Sequence, residues 1–269
     1  MGMLARAGGR QIYFEHYAGR EPSVVLSHGW GMSCRAWDDT IARLTDRGHA
    51  VVAYDHRGCG KSDKDFADVS IEALGDDLVA LCKHIALDAV VLNGWSLGGA
   101  VVVDAAAKLG GALRGLVLTA GATPRYTQAE GFPHGGRPED VAATVAALRA
   151  GRIAFLKGLY FGGVFAVDVG DDVKQRCWQI ALEASPGADA SLGALARLDQ
   201  RKLLAGIRAP SLVVVGRRDG VVPADIGRAA AKLLPNATLC ELDCGHAPFL
   251  ELPDAYHAAL FDLLGKAAR

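Results

Sequence analysis

The sequence predicts an α/β chain built on a mostly parallel sheet with helices on both faces, and three features carry that prediction. Short runs such as SVVLSH (23–28), HAVVAY (49–54), DAVVLNGW (88–95) and SLVVVG (211–216) are apolar almost throughout. That is the pattern of strands buried on both faces rather than one. Helical periodicities separate the runs, so strands alternate with helices, as crossover connections between parallel strands require. The rhythm fails once, between about 123 and 209, where no convincing strand occurs and the patterns are mostly helical.

Taken in order, RQIYFEHY (10–17) alternates apolar and polar positions and reads as a half-buried antiparallel strand ahead of the parallel ones. Strands at 23–28 and 49–54 follow, the second leading into a Gly-rich turn, RGCGKSD (57–63). Ser70 is placed to N-cap a helix over about 70–86, with Ile71, Leu74, Leu78, Leu81 and Ile85 on one stripe. Next come the strand at 88–95, a small-residue helix from about 97 to 108 and a strand at 115–120. The irregular stretch opens with turn-rich PRYTQAEGFPHGGRPED and continues with helical patterns over 138–150 and 171–184. The alternation then resumes: strand 211–216, a helix over 223–234 with Pro223 near its start, strand 237–242, and a closing helix over 254–266. The expected organisation is one core, residues 1–122 and 207–269, carrying a helical cap, residues 123–206. A chain of 269 residues, 51% of them hydrophobic, needs no disulfide or metal staple for such a core.

Composition narrows the partners. Lys+Arg 29 against Asp+Glu 30 leaves a formal charge of -1 with no basic block, so neither nucleic acid nor a membrane surface is expected. The six cysteines form no Cys-x-x-Cys pair, and the segment MGMLARAGGR lacks an apolar signal-peptide region. Arg6 stands where a myristoylation pattern needs Ser or Thr, and no apolar run approaches the ~18–20 residues that span a bilayer. The expectation is a cytoplasmic protein with reduced thiols. No metal-ligand cluster is evident, and no cofactor is expected.

The chemistry concentrates at strand ends. Gly94-Trp95-Ser96-Leu97-Gly98-Gly99 sits where a strand turns into a helix. A nucleophilic serine there needs a tight turn that lifts its hydroxyl above the sheet, and glycines two before and two after remove the Cβ clashes of such a turn. Serine also needs a base, and the base a third group to orient it. His246 follows the strand at 237–242 and Asp219 the strand at 211–216, so both lie at the sheet edge that carries Ser96. His28 and His56 also follow strands and compete with His246; Asp55 and Asp243 compete with Asp219. The backbone N–H of Leu97 offers one donor to an oxyanion, and Trp30, in His28-Gly29-Trp30-Gly31, is placed to offer a second.

Together HGWG (28–31), DHRGCGKSD (55–63), GWSLGG (94–99), GRRDGVVP (216–223) and CGHAPFLELP (244–253) resemble the α/β-hydrolase superfamily, over about residues 10 to 265. The likeness is strong in the core and thin in the cap. Within the superfamily the motifs look most like pimeloyl-[acyl-carrier protein] methyl ester esterases and related carboxylesterases, and RGxGKSD looks equally like cofactor-free haloperoxidases (perhydrolases) and aryl esterases. The resemblance implies an eight-stranded, mostly parallel sheet with the cap inserted after strand six. It also implies a Ser96–Asp219–His246 triad with Trp30 and Leu97 as oxyanion donors. Serine as nucleophile sets aside the relatives that use aspartate, the haloalkane dehalogenases and epoxide hydrolases. The activity expected is hydrolysis of small to medium apolar carboxylic esters through an acyl-enzyme on Ser96. Perhydrolysis or halogenation, lactone hydrolysis and carbon–carbon-bond hydrolysis by the same triad stand as alternatives, and a non-catalytic receptor on this fold as a remote one. Phe132, Phe155, Leu156, Leu159, Tyr160, Phe161, Phe165 and Trp178 of the cap are candidates to shape an apolar pocket around a small-molecule ester. Arg137, Arg149, Arg152 and Lys157 give the cap positive charge that would suit an acyl-carrier protein, or a solvated helix face.

Overall fold

The computed structural model describes residues 1–268. Eight strands, β1 (Gly2–Ala5), β2 (Gln11–Tyr17), β3 (Arg20–Ser27), β4 (His49–Tyr54), β5 (Val90–Trp95), β6 (Leu113–Thr119), β7 (Ser211–Gly216) and β8 (Ala237–Leu242), form one sheet. Their order is β1-β2-β4-β3-β5-β6-β7-β8. β2 pairs antiparallel with both β1 and β4, and all remaining neighbours are parallel. The helices are α1 (Asp38–Asp46), α2 (Ile71–His84), α3 (Leu97–Leu109), α4 (Pro138–Gly162), α5 (Asp171–Leu182), α6 (Ala190–Arg197), α7 (Arg201–Gly206), α8 (Ala224–Leu233), α9 (Pro248–Glu251) and α10 (Pro253–Ala267). None of the described helices is long and apolar enough to cross a membrane.

The apolar strands are buried on both sides because successive residues point to opposite faces. Val25, Leu92, Leu116 and Val213 pack with Leu78 of α2, Val101 of α3 and Ile226 of α8. Val24, Val91, Val117 and Val214 pack on the other face, with Leu44 of α1 and Leu260 of α10. Ser70 caps α2 through a hydrogen bond accepted from the Ala73 N–H. A fully buried side chain such as Leu92 contributes about 2–5 kcal/mol, the usual cost of its truncation to alanine.

Two elements carry little sequence signal. β1 has four residues, too few for an alternation to show; it is held by its register, with Leu4 opposite Ile12, and by the adjoining Arg6 pairing with buried Asp77. α1 buries only Thr40, Ile41 and Leu44, one narrow stripe among polar residues.

The segment between β6 and β7 contains no strand. α4 continues through Gly151, whose φ of −166° and ψ of 65° kink it, and so extends well past the 138–150 pattern. The two ends of the insertion meet. Thr123 Oγ1 donates to Gln200 Oε1, the Gln200 N–H bonds to the Pro124 carbonyl, and Gln200 Nε2 donates to the Ala100 carbonyl of α3. Beyond Gln200, α7 packs on α3 and α8 rather than on the cap helices.

Candidate active site

The chain order reverses around β3, which lies between β4 and β5, and the candidate residues gather at the carboxyl ends of the strands, as open α/β sheets favour. Ser96 occupies the turn between β5 and α3 with φ 56° and ψ −122°, a conformation that costs a non-glycine residue about 1–3 kcal/mol. The turn closes only because its neighbours lack Cβ atoms. A Cβ on Gly94 would lie 2.2 Å from the Gly98 carbonyl oxygen, and one on Gly98 would lie 2.4 Å from that of Ser27. The Ser96 backbone is fixed in turn: its N–H bonds to the Thr119 carbonyl, and its own carbonyl accepts from Gly99 and Ala122.

His246 and Asp219 come together from two loops 27 residues apart in sequence, with His246 Nδ1 2.8 Å from Asp219 Oδ2. Their side chains are only 4% and 1% exposed. Asp219 Oδ1 accepts from the Val221 and Val222 N–H groups at 2.8 and 2.9 Å, so the carboxylate has one orientation and one oxygen left for the ring. A carboxylate oxygen accepts, so of the two neutral tautomers the contact selects the one with the proton on Nδ1 and the lone pair on Nε2. Trp95 Nε1 donates to the His246 carbonyl at 2.7 Å and its ring packs beside the imidazole, which holds the histidine loop against the serine turn.

Ser96, His246, Trp30 and Leu97 line one cavity of about 230 Å³, whose other walls include Tyr126, Phe155, Leu159, Tyr160, Leu192 and Leu195. Gly29 brings the Trp30 loop close to Ser96, since a Cβ there would stand 3.2 Å from that of Ser96. A second hollow of about 360 Å³ shares Tyr126, Thr144, Leu192, Gly220 and Val221 with the first and extends to Arg137 and Asp140.

The competing residues are occupied elsewhere. His28 and His56 stack at 3.8 Å, fully buried beneath the loop. His28 Nδ1 donates to the Gly29 carbonyl and its Nε2 accepts the His56 N–H, leaving neither nitrogen free. Desolvation holds both rings below the usual histidine range, so they are neutral scaffolding for the 28–31 loop. Asp55 accepts the Cys34 and Lys61 N–H groups and ties two loops together. Asp243 is exposed and paired with Arg218. The cysteines are all free, and burial pushes the thiols of Cys59 and Cys244 up to about 12 and that of Cys34 higher still, the opposite of an activated nucleophile.

Of the cap aromatics, Phe155 and Tyr160 reach the cavity, together with Leu159; Leu156 and Phe132 are buried in the two cores, and Phe161 is at the surface. Leu192, Leu195 and Tyr126 also line the cavity and were not among the candidates. The two leucines face the cavity one turn apart on α6, and the Tyr126 hydroxyl donates to the Val221 carbonyl from a stretch that reads only as turns. Arg137 and Arg152 are paired within the cap, with Asp140 and Asp189. Among the described residues no group of three or more His, Cys, Asp or Glu converges as a metal-ligand set.

Comparison with known proteins agrees with the fold. A pimeloyl-[acyl-carrier protein] methyl ester esterase from Stenotrophomonas maltophilia is 32% identical over 90% of this chain and 92% of its own length. A non-heme haloperoxidase from Rhodococcus erythropolis is 28% identical over 89% and 90%. An esterase from Exiguobacterium antarcticum superposes with a TM-score of 0.94 at 26% identity, covering 98% of this chain and all of that one. A family model described as the alpha/beta hydrolase fold matches residues 22–253, most of the chain, and the protein belongs to that family.

Proposed function

We propose that the protein is a serine carboxylesterase acting on small to medium apolar acyl esters. The observation that carries this reading is the Asp219–His246 pair, oriented by two backbone N–H groups and presented to a cavity that it shares with Ser96 on its strained turn. In the first step Ser96 Oγ attacks the ester carbonyl while His246 Nε2 takes its proton. The N–H groups of Trp30 and Leu97 hold the oxyanion, a pair of donors of which each is worth about 10²–10³ in rate. Collapse breaks the acyl C–O bond, and His246 passes the proton to the departing alcohol. Water deprotonated by His246 then cleaves the acyl–Ser96 ester, releasing the acid and restoring the serine. Asp219 stabilises the imidazolium formed in each step.

The two hollows divide the substrate. The leaving alcohol must face His246 to receive its proton, and the second hollow, which joins the first past Gly220 and Val221 of the loop that carries Asp219, is assigned to it. The acyl group then lies among Trp30, Phe155, Leu159 and Leu195. Relatives named as esterases support the ester class. The relative named as a haloperoxidase supports one variant of the second step, in which hydrogen peroxide replaces water and the acyl-enzyme yields a peracid.

The test is hydrolysis of p-nitrophenyl acetate, butyrate, octanoate and dodecanoate by the parent and by Ser96→Ala. The parent is expected to be fastest on butyrate or octanoate, with turnover lost in the variant. Full activity in Ser96→Ala overturns the proposal.

A further inference from the structure

Glu251 is a buried carboxylate, 6% exposed, with no cationic partner among the described residues and four backbone N–H donors. Its Oε2 accepts from Ala166 at 2.8 Å, Val167 at 2.9 Å and Gly245 at 2.8 Å; its Oε1 accepts from Ala247 at 3.0 Å. Gly245 and Ala247 flank His246, whereas Ala166 and Val167 belong to the cap, in the turn between α4 and α5. Two further bonds reach the same cap turn: the His246 N–H to the Val164 carbonyl at 2.8 Å and, from the loop that carries Asp219, Arg218 Nη1 to the Ala166 carbonyl at 3.1 Å. The approach is close enough that a Cβ on Gly245 would stand 2.6 Å from the Val164 oxygen and 2.7 Å from the Ala166 nitrogen.

A carboxylate is the one side chain that satisfies four converging N–H groups, since it accepts through both oxygens and donates nothing. The sheet positions Asp219 and Ser96, whereas the backbone of the histidine loop is held by Glu251 and the cap together with the Trp95 and Arg218 bonds to its carbonyls. We infer that Glu251 is the positioning residue for His246, and that through it the middle of the cap, Val164–Val167, is clamped to the catalytic base. The cap is thereby part of the base's mounting. This inference rests on the triad assignment above.

The decisive variant is Glu251→Gln, which keeps the shape but turns an amide NH₂ toward at least one N–H donor. The expected result is a kcat about 10- to 100-fold lower on p-nitrophenyl butyrate, normalised to titrated active sites, with KM within about threefold, as misplacement of a catalytic group produces. Amide exchange should accelerate together in peptides covering 164–167 and 244–247. Thr40→Val, which removes the distant buried bond to His257, lowers the Tm but leaves kcat unchanged and controls for general destabilisation. Should Glu251→Gln fail to fold, Glu251→Asp keeps the charge, withdraws it by one methylene, and is expected to show the same pattern. Parental kcat, or faster exchange in only one of the two segments, overturns the inference. Ser96→Ala run alongside separates the two readings: an active Ser96→Ala refutes the triad, whereas an inactive one beside a fully active Glu251→Gln refutes only the clamp.

Discussion

Replacing Asp219 by asparagine changes one atom and reverses the logic of the base. The two N–H groups of Val221 and Val222 require an acceptor at Oδ1, so the asparagine carbonyl must stay there and its NH₂ must face His246. The imidazole then has to present a lone pair at Nδ1, which moves the ring proton to Nε2, where it blocks proton abstraction from Ser96. Loss of the correct tautomer in such a triad costs about 10⁴ in kcat, equivalent to about 5 kcal/mol of transition-state stabilisation. Asp219 does not line the cavity, so KM should change by no more than a few-fold. Steady-state kinetics on p-nitrophenyl butyrate, with a thermal melt to show that Asp219→Asn is folded, measure both quantities. Asp243→Asn, at an exposed site paired with Arg218, should leave kcat unchanged. A loss of less than tenfold in Asp219→Asn, or a loss carried wholly by KM, would refute the reasoning.

Other parts of the account make their own predictions. Phe155→Ala enlarges the acyl lobe and should move the preference toward longer p-nitrophenyl esters, whereas Val221→Trp narrows the junction with the second hollow and should slow esters of bulky alcohols more than ethyl esters. Gly98→Ala drives a methyl against the Ser27 and His28 carbonyls and should abolish activity and lower the Tm; normal activity would mean that the turn is looser than described. The neutral His28–His56 stack makes stability pH-dependent. Both rings titrate below their unfolded value of about 6.5, so their contribution is complete above that pH and declines as pH falls toward the folded values. Each ring adds a slope of up to about 1.4 kcal/mol per pH unit. Denaturant titrations between pH 7.5 and 5 should show this slope reduced in His56→Gln, and an unchanged slope would contradict the assignment.

The strands and the sheet edge of the candidate site were legible because burial on both faces leaves continuous apolar runs, and because a strained serine turn demands glycines at 94 and 98 whatever surrounds it. β1 was not legible, since four residues on the sheet edge gain their structure from pairing with β2 rather than from their own pattern. The full length of α4 was hidden because Gly151 reads as a stop, yet the chain kinks there and continues. Cavity walls such as Leu192, Leu195 and Tyr126 depend on how the cap folds back over the sheet, which no local periodicity records. Glu251 lies within CGHAPFLELP, but two of the N–H groups it accepts from lie about 85 residues earlier in the chain, and only the tertiary structure brings them together.

The most direct test of the central claim is to react the protein with diethyl p-nitrophenyl phosphate, count the p-nitrophenolate released, and locate the adduct by peptide mass spectrometry. The account predicts a burst of one p-nitrophenolate per chain, a diethylphosphoryl group on Ser96, and loss of esterase activity in step with labelling. Labelling of another residue with Ser96 unmodified, or full esterase activity after stoichiometric modification of Ser96, would contradict it.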